Sequence, residues 1–107
     1  MPAVAPAKKL GVLISSAPTQ PNFAHGLQLA EAALTRGCGV YFYLIDEAVP
    51  GIEDVRLQAL RRRGLHLFAC ALGAKKRNLV TDDRATWVGL ATASDLIAAT
   101  DRFVSFN

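Results

Sequence analysis

The apolar positions along this chain change period several times, and each change marks an element. "KKLGVLISS" (8–16) reads as a strand that runs into the turn-forming "APTQPN" (17–22). Pro21 suits the first turn of a helix, where its missing N–H leaves no bond unmade. Phe23, Leu27, Ala30 and Leu34 then recur at helical spacing, and Gly37 stops this helix near Arg36. "GVYFYLID" (39–46), aromatic and β-branched, predicts a second strand. "GIEDVRLQALRRRG" (51–64) places Glu53 and Asp54 early and three arginines late, which complements a helix dipole and predicts a second helix. "LHLFACAL" (65–72) is a continuous apolar run, as in a strand covered on both faces. Residues 73–92 carry no clear period. "ASDLIAAT" (93–100) predicts a short helix capped by Thr92 or Ser94, and "DRFVSFN" (101–107) a closing strand.

Strands thus alternate with helices, the pattern of βαβ units with right-handed crossovers. The expected fold class is α/β: a three-layer α/β/α sandwich around a mainly parallel sheet of about five strands, flavodoxin-like in layout. Residues 8–107 form one domain, preceded by a loose Ala- and Pro-rich arm over residues 1–7. With 107 residues, 51% of them hydrophobic, the chain has enough apolar surface for a core without disulfides or metals. It shows neither a signal peptide nor a membrane span, so we expect no membrane partner and a cytoplasmic setting in which Cys38 and Cys70 stay reduced.

Charge changes this picture little. The net charge is +3, and six of the cations lie in the runs Arg61–Arg63 and Lys75–Arg77. Neither run is interleaved with aromatics or joined to a nucleic-acid-binding motif, so no nucleic-acid partner is expected. The arginine run reads as a solvated helix end.

Candidate chemistry centres on one thiol. Ligands of open α/β sheets bind beyond the carboxyl ends of the strands, and Cys70 stands where the third strand should end. "ALGAKKRN" follows and can begin a helical turn, whose free amides, with Lys75, Lys76 and Arg77, would favour a thiolate nucleophile. The alternative is a structural cysteine in an apolar strand. Ser15 and Ser16, at the end of the first strand, either cap the first helix or contribute to an anion pocket beside Cys70. A phosphatase loop is excluded by spacing, since Lys76 stands six residues beyond Cys70 and the arginine follows one later. The cysteines and histidines lack zinc spacing, and no G-x-G-x-x-G occurs, so neither a metal nor another cofactor is expected. Cys38, between Gly37 and Gly39, reads as a turn at the opposite edge of the sheet. His66 reads as a core histidine, Asp82 and Asp83 as a turn or cap, and Trp87 as either a cover over the third strand end or packing.

Three stretches in register, "GVLISSAPTQPNFAHGLQLAEAALTRGCGVYFYLIDEAV", "GLHLFACALGAKKRNLVTDD" and "GLATASDLIAATDRFVSF", resemble the DsrE/DsrF-like (TusD/YchN-like) sulfur relay family. The likeness covers about residues 8–106. It implies a sulfur carrier or sulfurtransferase subunit that accepts sulfane sulfur as a persulfide on Cys70 and passes it on. It also implies sulfur donor and acceptor proteins as partners, without a cofactor, and a homo-oligomer (trimer or hexamer) or a mixed complex with related subunits. The competing reading is a non-enzymatic oligomeric subunit or small-ligand-binding module with an unreactive Cys70.

Overall fold

A computed structural model describes residues 8–107; the arm expected over residues 1–7 lies outside the described residues. One parallel sheet contains β1 (Lys9–Ile14), β2 (Gly39–Leu44), β3 (His66–Cys70), β4 (Thr86–Val88) and β5 (Arg102–Phe106), in the order β4-β3-β2-β1-β5. Parallel neighbours require crossovers, and these are almost always right-handed. From β1 to β4 the chain steps toward one edge, so α1 (Pro21–Thr35), α2 (Val55–Arg62) and α3 (Ala71–Lys76) fall on one face. The return from β4 to β5 runs the other way and puts α4 (Leu90–Ala98) on the opposite face. The expected α/β/α sandwich is therefore present but lopsided.

The core lies on the side of α1 and α2. Val12, Ile14, Val40, Phe42, Leu44, Leu67 and Ala69 alternate toward Phe23, Leu27 and Ala30 of α1 and Leu57 and Leu60 of α2. Each large side chain buried this way stabilises the fold by about 1.5–3 kcal/mol relative to exposure. Gly26 lets α1 lie close on β1, because a Cβ there would run into Ile14 Cδ1.

The other face is thinly covered. Ala93, Leu96 and Ile97 of α4, and Thr100 just beyond it, sit with Gly11, Leu13, Tyr43 and Phe103. Tyr41 stacks on His66 at 4.7 Å between ring centroids and on Phe68 at 6.4 Å, and these rings are only partly covered. His66 is thus an exposed stacking residue at the start of β3, not the core histidine expected, since a single helix cannot span this face.

Other boundaries differ for local reasons. The first strand stops at Ile14 rather than Ser16. The second stops at Leu44, and Asp46 (φ 50°) then turns the chain off the sheet. The helix expected over 51–64 is two pieces, a 3₁₀ segment Asp46–Glu53 and α2. Pro50 disfavours a continuous α-helix through the first piece, and Asp54 works as a cap rather than a helical residue. The third strand ends at Cys70, with Ala71 and Leu72 already in α3. The closing helix begins at Leu90 with Gly89 at its N-cap, so Thr92 and Ser94 lie inside it. Asp101 precedes the last strand, its carboxylate accepting the Lys9 N–H at 2.7 Å.

Asp54 accepts the backbone N–H groups of Arg56 (2.9 Å) and Leu57 (3.4 Å) and pairs with the Arg56 guanidinium at 2.8 Å. The Arg56 side chain, helped by these amides, holds the Asp54 carboxyl below its ordinary 3.8. A depressed folded pKa stabilises the fold above the unfolded value and is lost as pH falls through the folded one. Asp54→Ala should cost about 0.5–2 kcal/mol at neutral pH, and urea unfolding should show that penalty shrinking below about pH 4. A penalty independent of pH would contradict the charged cap.

Candidate functional site

The strand ladder fixes where the candidate residues stand. Ile14 pairs with Leu44 and Leu44 with Ala69, so the next level holds Ser15, Ile45 and Cys70. Ser15 and Cys70 are level with one another but two strand spacings apart, about 10 Å. The serines and the thiol therefore belong to the same rim of the sheet, not to one contact shell.

Cys70 closes β3 and is also the N-cap of α3, with φ −69° and ψ 116°. Its Sγ accepts the Gly73 N–H at 3.4 Å. The residue is 8% exposed and packs with Val49 and Ala74, while Ile45, Leu79 and Trp87 close around it. Gly73 permits this tight turn, since a Cβ there would lie 3.0 Å from Val49 Cγ2. The strand-end position beside a helical turn, expected from sequence, is what the fold contains; the depth of the thiol is greater than its rim position suggested.

Of the three cations that follow, Lys75 and Lys76 are exposed, and Arg77 folds back. Its Nη1 donates to the Gly73 carbonyl at 3.2 Å, and its Nη2 donates to Glu47 at 3.0 Å. Arg77 thus braces the same turn whose amide reaches Sγ. Trp87 both packs and covers: it touches the main core and the Cys70 cluster, and its Nε1 donates to the Asp82 carbonyl at 2.8 Å. Asp82 forms a turn, accepting the Arg84 N–H and Nε, and Arg84 beside it holds its carboxyl below the usual range.

Sequence reasoning missed Tyr43. Its hydroxyl reaches the carbonyls of Gly89 (3.3 Å) and Val88 (3.5 Å), which anchors the start of α4. Burial, and then the charge available at Cys70, push this phenol up to about 12. The signal was legible in part: β2 runs beside β3, and Tyr43 pairs with Phe68, which shares the parity of Cys70.

Ser15 donates to Asn107 Oδ1 at 3.1 Å, and among the described residues no buried side-chain polar atom is left without a hydrogen-bond partner. Ser15 and Ser16 line a cleft of about 560 Å³ with Gln20, Asn22, Glu47 and Asn107. Cys38 is half-buried at the opposite, entering edge of the sheet, and both cysteines are free. Arg61 donates to Gln58 and Arg63 to Glu31 and Thr35, so the arginine run ties the end of α2 to its surroundings more than a solvated end would. Among the described residues no group of three or more metal-ligating side chains comes together, and no helix is long and apolar enough to cross a membrane.

No family profile matches the chain, and no curated protein matches it in sequence. Among solved structures, the ychN protein from E. coli superposes with a TM-score of 0.77 over 94% of this chain and 99% of that one, at 16% identity. The architecture is therefore a DsrE-like α/β fold.

The Tyr43 phenol supplies a check on this geometry. A folded pKa raised above 10.0 favours the neutral form, so its stabilisation is complete below about pH 10 and is lost as pH rises toward 12. Absorbance of tyrosinate should show one late step, and Cys70→Ser should lower that step by removing the neighbouring charge. An unchanged step in the variant would separate the two groups.

Proposed function

We propose that this protein is a sulfur carrier, a sulfurtransferase-type subunit that takes sulfane sulfur onto Cys70 as a persulfide and passes it to a partner protein. The observation that carries this reading is a free thiol at the carboxyl end of a central-region parallel strand, its Sγ bonded to the Gly73 amide and its turn braced by Arg77. The likeness of three sequence stretches to sulfur relay proteins supports it, and so does the shared DsrE-like fold.

The chemistry balances without an external oxidant. The Cys70 thiolate attacks the outer sulfur of a donor persulfide; a new S–S bond forms, the donor S–S bond breaks, and the donor leaves as its thiolate. In the second half, an acceptor nucleophile attacks the outer sulfur now on Cys70, and Cys70 departs as thiolate. The residues need hold no cofactor or metal for either step. Lys75 and Lys76, both exposed, offer positive charge to an acidic partner surface near the turn. Donor and acceptor proteins are the partners in this reading, in the cytoplasm, with neither nucleic acid nor membrane involved. The partly covered Tyr41–His66–Phe68 face supports assembly into a trimer or hexamer, or with related subunits.

One observation favours a second reading. At 8% exposure, Cys70 is more enclosed than a relay thiol needs to be, which suits a non-enzymatic oligomeric subunit or small-ligand module with an inert thiol.

Intact-mass spectrometry after incubation with a persulfide donor separates the two. The sulfur carrier gains one sulfur atom, keeps the gain in Cys38→Ser and loses it in Cys70→Ser. A wild-type protein that gains no sulfur from any donor, and whose Cys70 is alkylated only on unfolding, is the inert module.

A further inference from the structure

We infer that residues 80–88 form a lid over Cys70, with Trp87 as its covering side chain and the Tyr43 hydroxyl as its latch. The thiol meets reagents only when this lid lifts. The lid stands on packing alone; its control of sulfur transfer rests on the relay reading above. Five side chains enclose the thiol, and four of them belong to firmly held segments. Val49 and Ala74 are fully buried within their own helical segments. The Ile45 N–H donates to the Ile14 carbonyl at 2.9 Å, and the Leu79 N–H donates to the Ala74 carbonyl at 3.0 Å. Trp87 alone stands on the edge strand β4, which has three residues and one neighbour, β3.

The lid is pinned to itself. Trp87 Nε1 donates to the Asp82 carbonyl at 2.8 Å, and the Asp82 carboxylate accepts the Arg84 N–H at 3.0 Å and its Nε at 2.9 Å. Residues 80–83 are exposed and make no backbone–backbone hydrogen bond among the described residues. Ties to the body beyond the β4 ladder and the latch are few. The Arg84 carbonyl accepts Gln58 Nε2 at 3.1 Å, and a partly exposed Arg84–Glu53 pair at 3.7 Å contributes little. Asn78, with φ 54°, turns the chain ahead of this piece, and Gly89 follows it with open space where a Cβ would stand. Such a segment opens at a lower free energy than the core does.

Tyr43 holds the far end. It is itself buried in β2, and its hydroxyl reaches the carbonyls of Gly89 at 3.3 Å and Val88 at 3.5 Å. Val88 stands level with Cys70 on the ladder, so the latch acts on the rung beside the thiol. When that rung breaks, Trp87 leaves and Cys70 loses its outer cover. The Gly73 amide that reaches Sγ belongs to α3 and does not travel with the lid. Opening therefore uncovers the thiol without dismantling the turn that holds it.

The test is iodoacetamide labelling of Cys70 in the full chain carrying Cys38→Ser, across a series of urea concentrations, with equilibrium unfolding measured alongside. Below the unfolding transition the rate should be nearly flat with urea, because lifting a short lid exposes little surface. Tyr43→Phe should raise this plateau roughly two- to tenfold, the loss of one latch hydrogen bond. Trp87→Ala, which removes the cover itself, should raise it further. Leu27→Val, in α1 and away from the lid, should lower global stability and leave the plateau unchanged. Sulfur uptake from a persulfide donor should quicken in Tyr43→Phe by the same factor as labelling. A rate that follows global unfolding at every urea concentration overturns the lid, and so does a plateau unmoved in Tyr43→Phe and Trp87→Ala. Uptake that keeps its wild-type rate while labelling quickens overturns the lid's control of transfer. Labelling needs no sulfur donor, so lid and relay fail separately: a lid that lifts on a protein taking up no sulfur overturns the relay alone.

Discussion

Everything in this molecule follows from the direction in which parallel pairing makes the chain travel. Because each crossover must be right-handed, three steps toward one edge commit α1, α2 and α3 to one face, and a single return commits α4 to the other. One face is therefore a dense core built on Phe42, Ile14 and Phe23, and the other is a half-covered aromatic surface. The same itinerary brings the carboxyl ends of all strands to one rim. Cys70, Arg77, Glu47 and the two serines are spread along that rim although they are far apart in sequence, and Arg77 and Glu47 pair there.

Much of the architecture was legible because the local signals agreed with the global one. The apolar runs at 8–16, 39–46 and 65–72 each contain a real strand, and Pro21 and Gly37 bracket α1 as their backbone chemistry requires. The failures are equally physical. Asp54 looked like a dipole-matching residue within a helix, yet it is the cap, which shifts the start of α2 to Val55. Gly89 stands at the N-cap of α4 in place of the hydroxyl caps expected, and Tyr43 bonds its carbonyl from another strand, a contact no local signal carries. β4 was invisible as a three-residue strand, too short for any period. His66 was misjudged because an apolar neighbourhood in sequence says nothing about how many helices cover a face.

The candidate site shows the same division. Position along a strand is a local property, so the end of β3 could be read at Cys70. Lateral distance is not local: only the strand order shows that β2 separates the serines from the thiol. Nor could the sequence tell which cation returns. Arg77, rather than either lysine, has the planar fork that reaches the Gly73 carbonyl and Glu47 together.

The brevity of β4 has a consequence for the two margins of the sheet. A sheet ending in Thr86–Val88 offers an incoming strand a margin of three residues, too little backbone to template an extension of the ladder from that side. Growth by strand addition is blunted there, and the longer edge of the sheet is the opposite one, where β5 presents five residues.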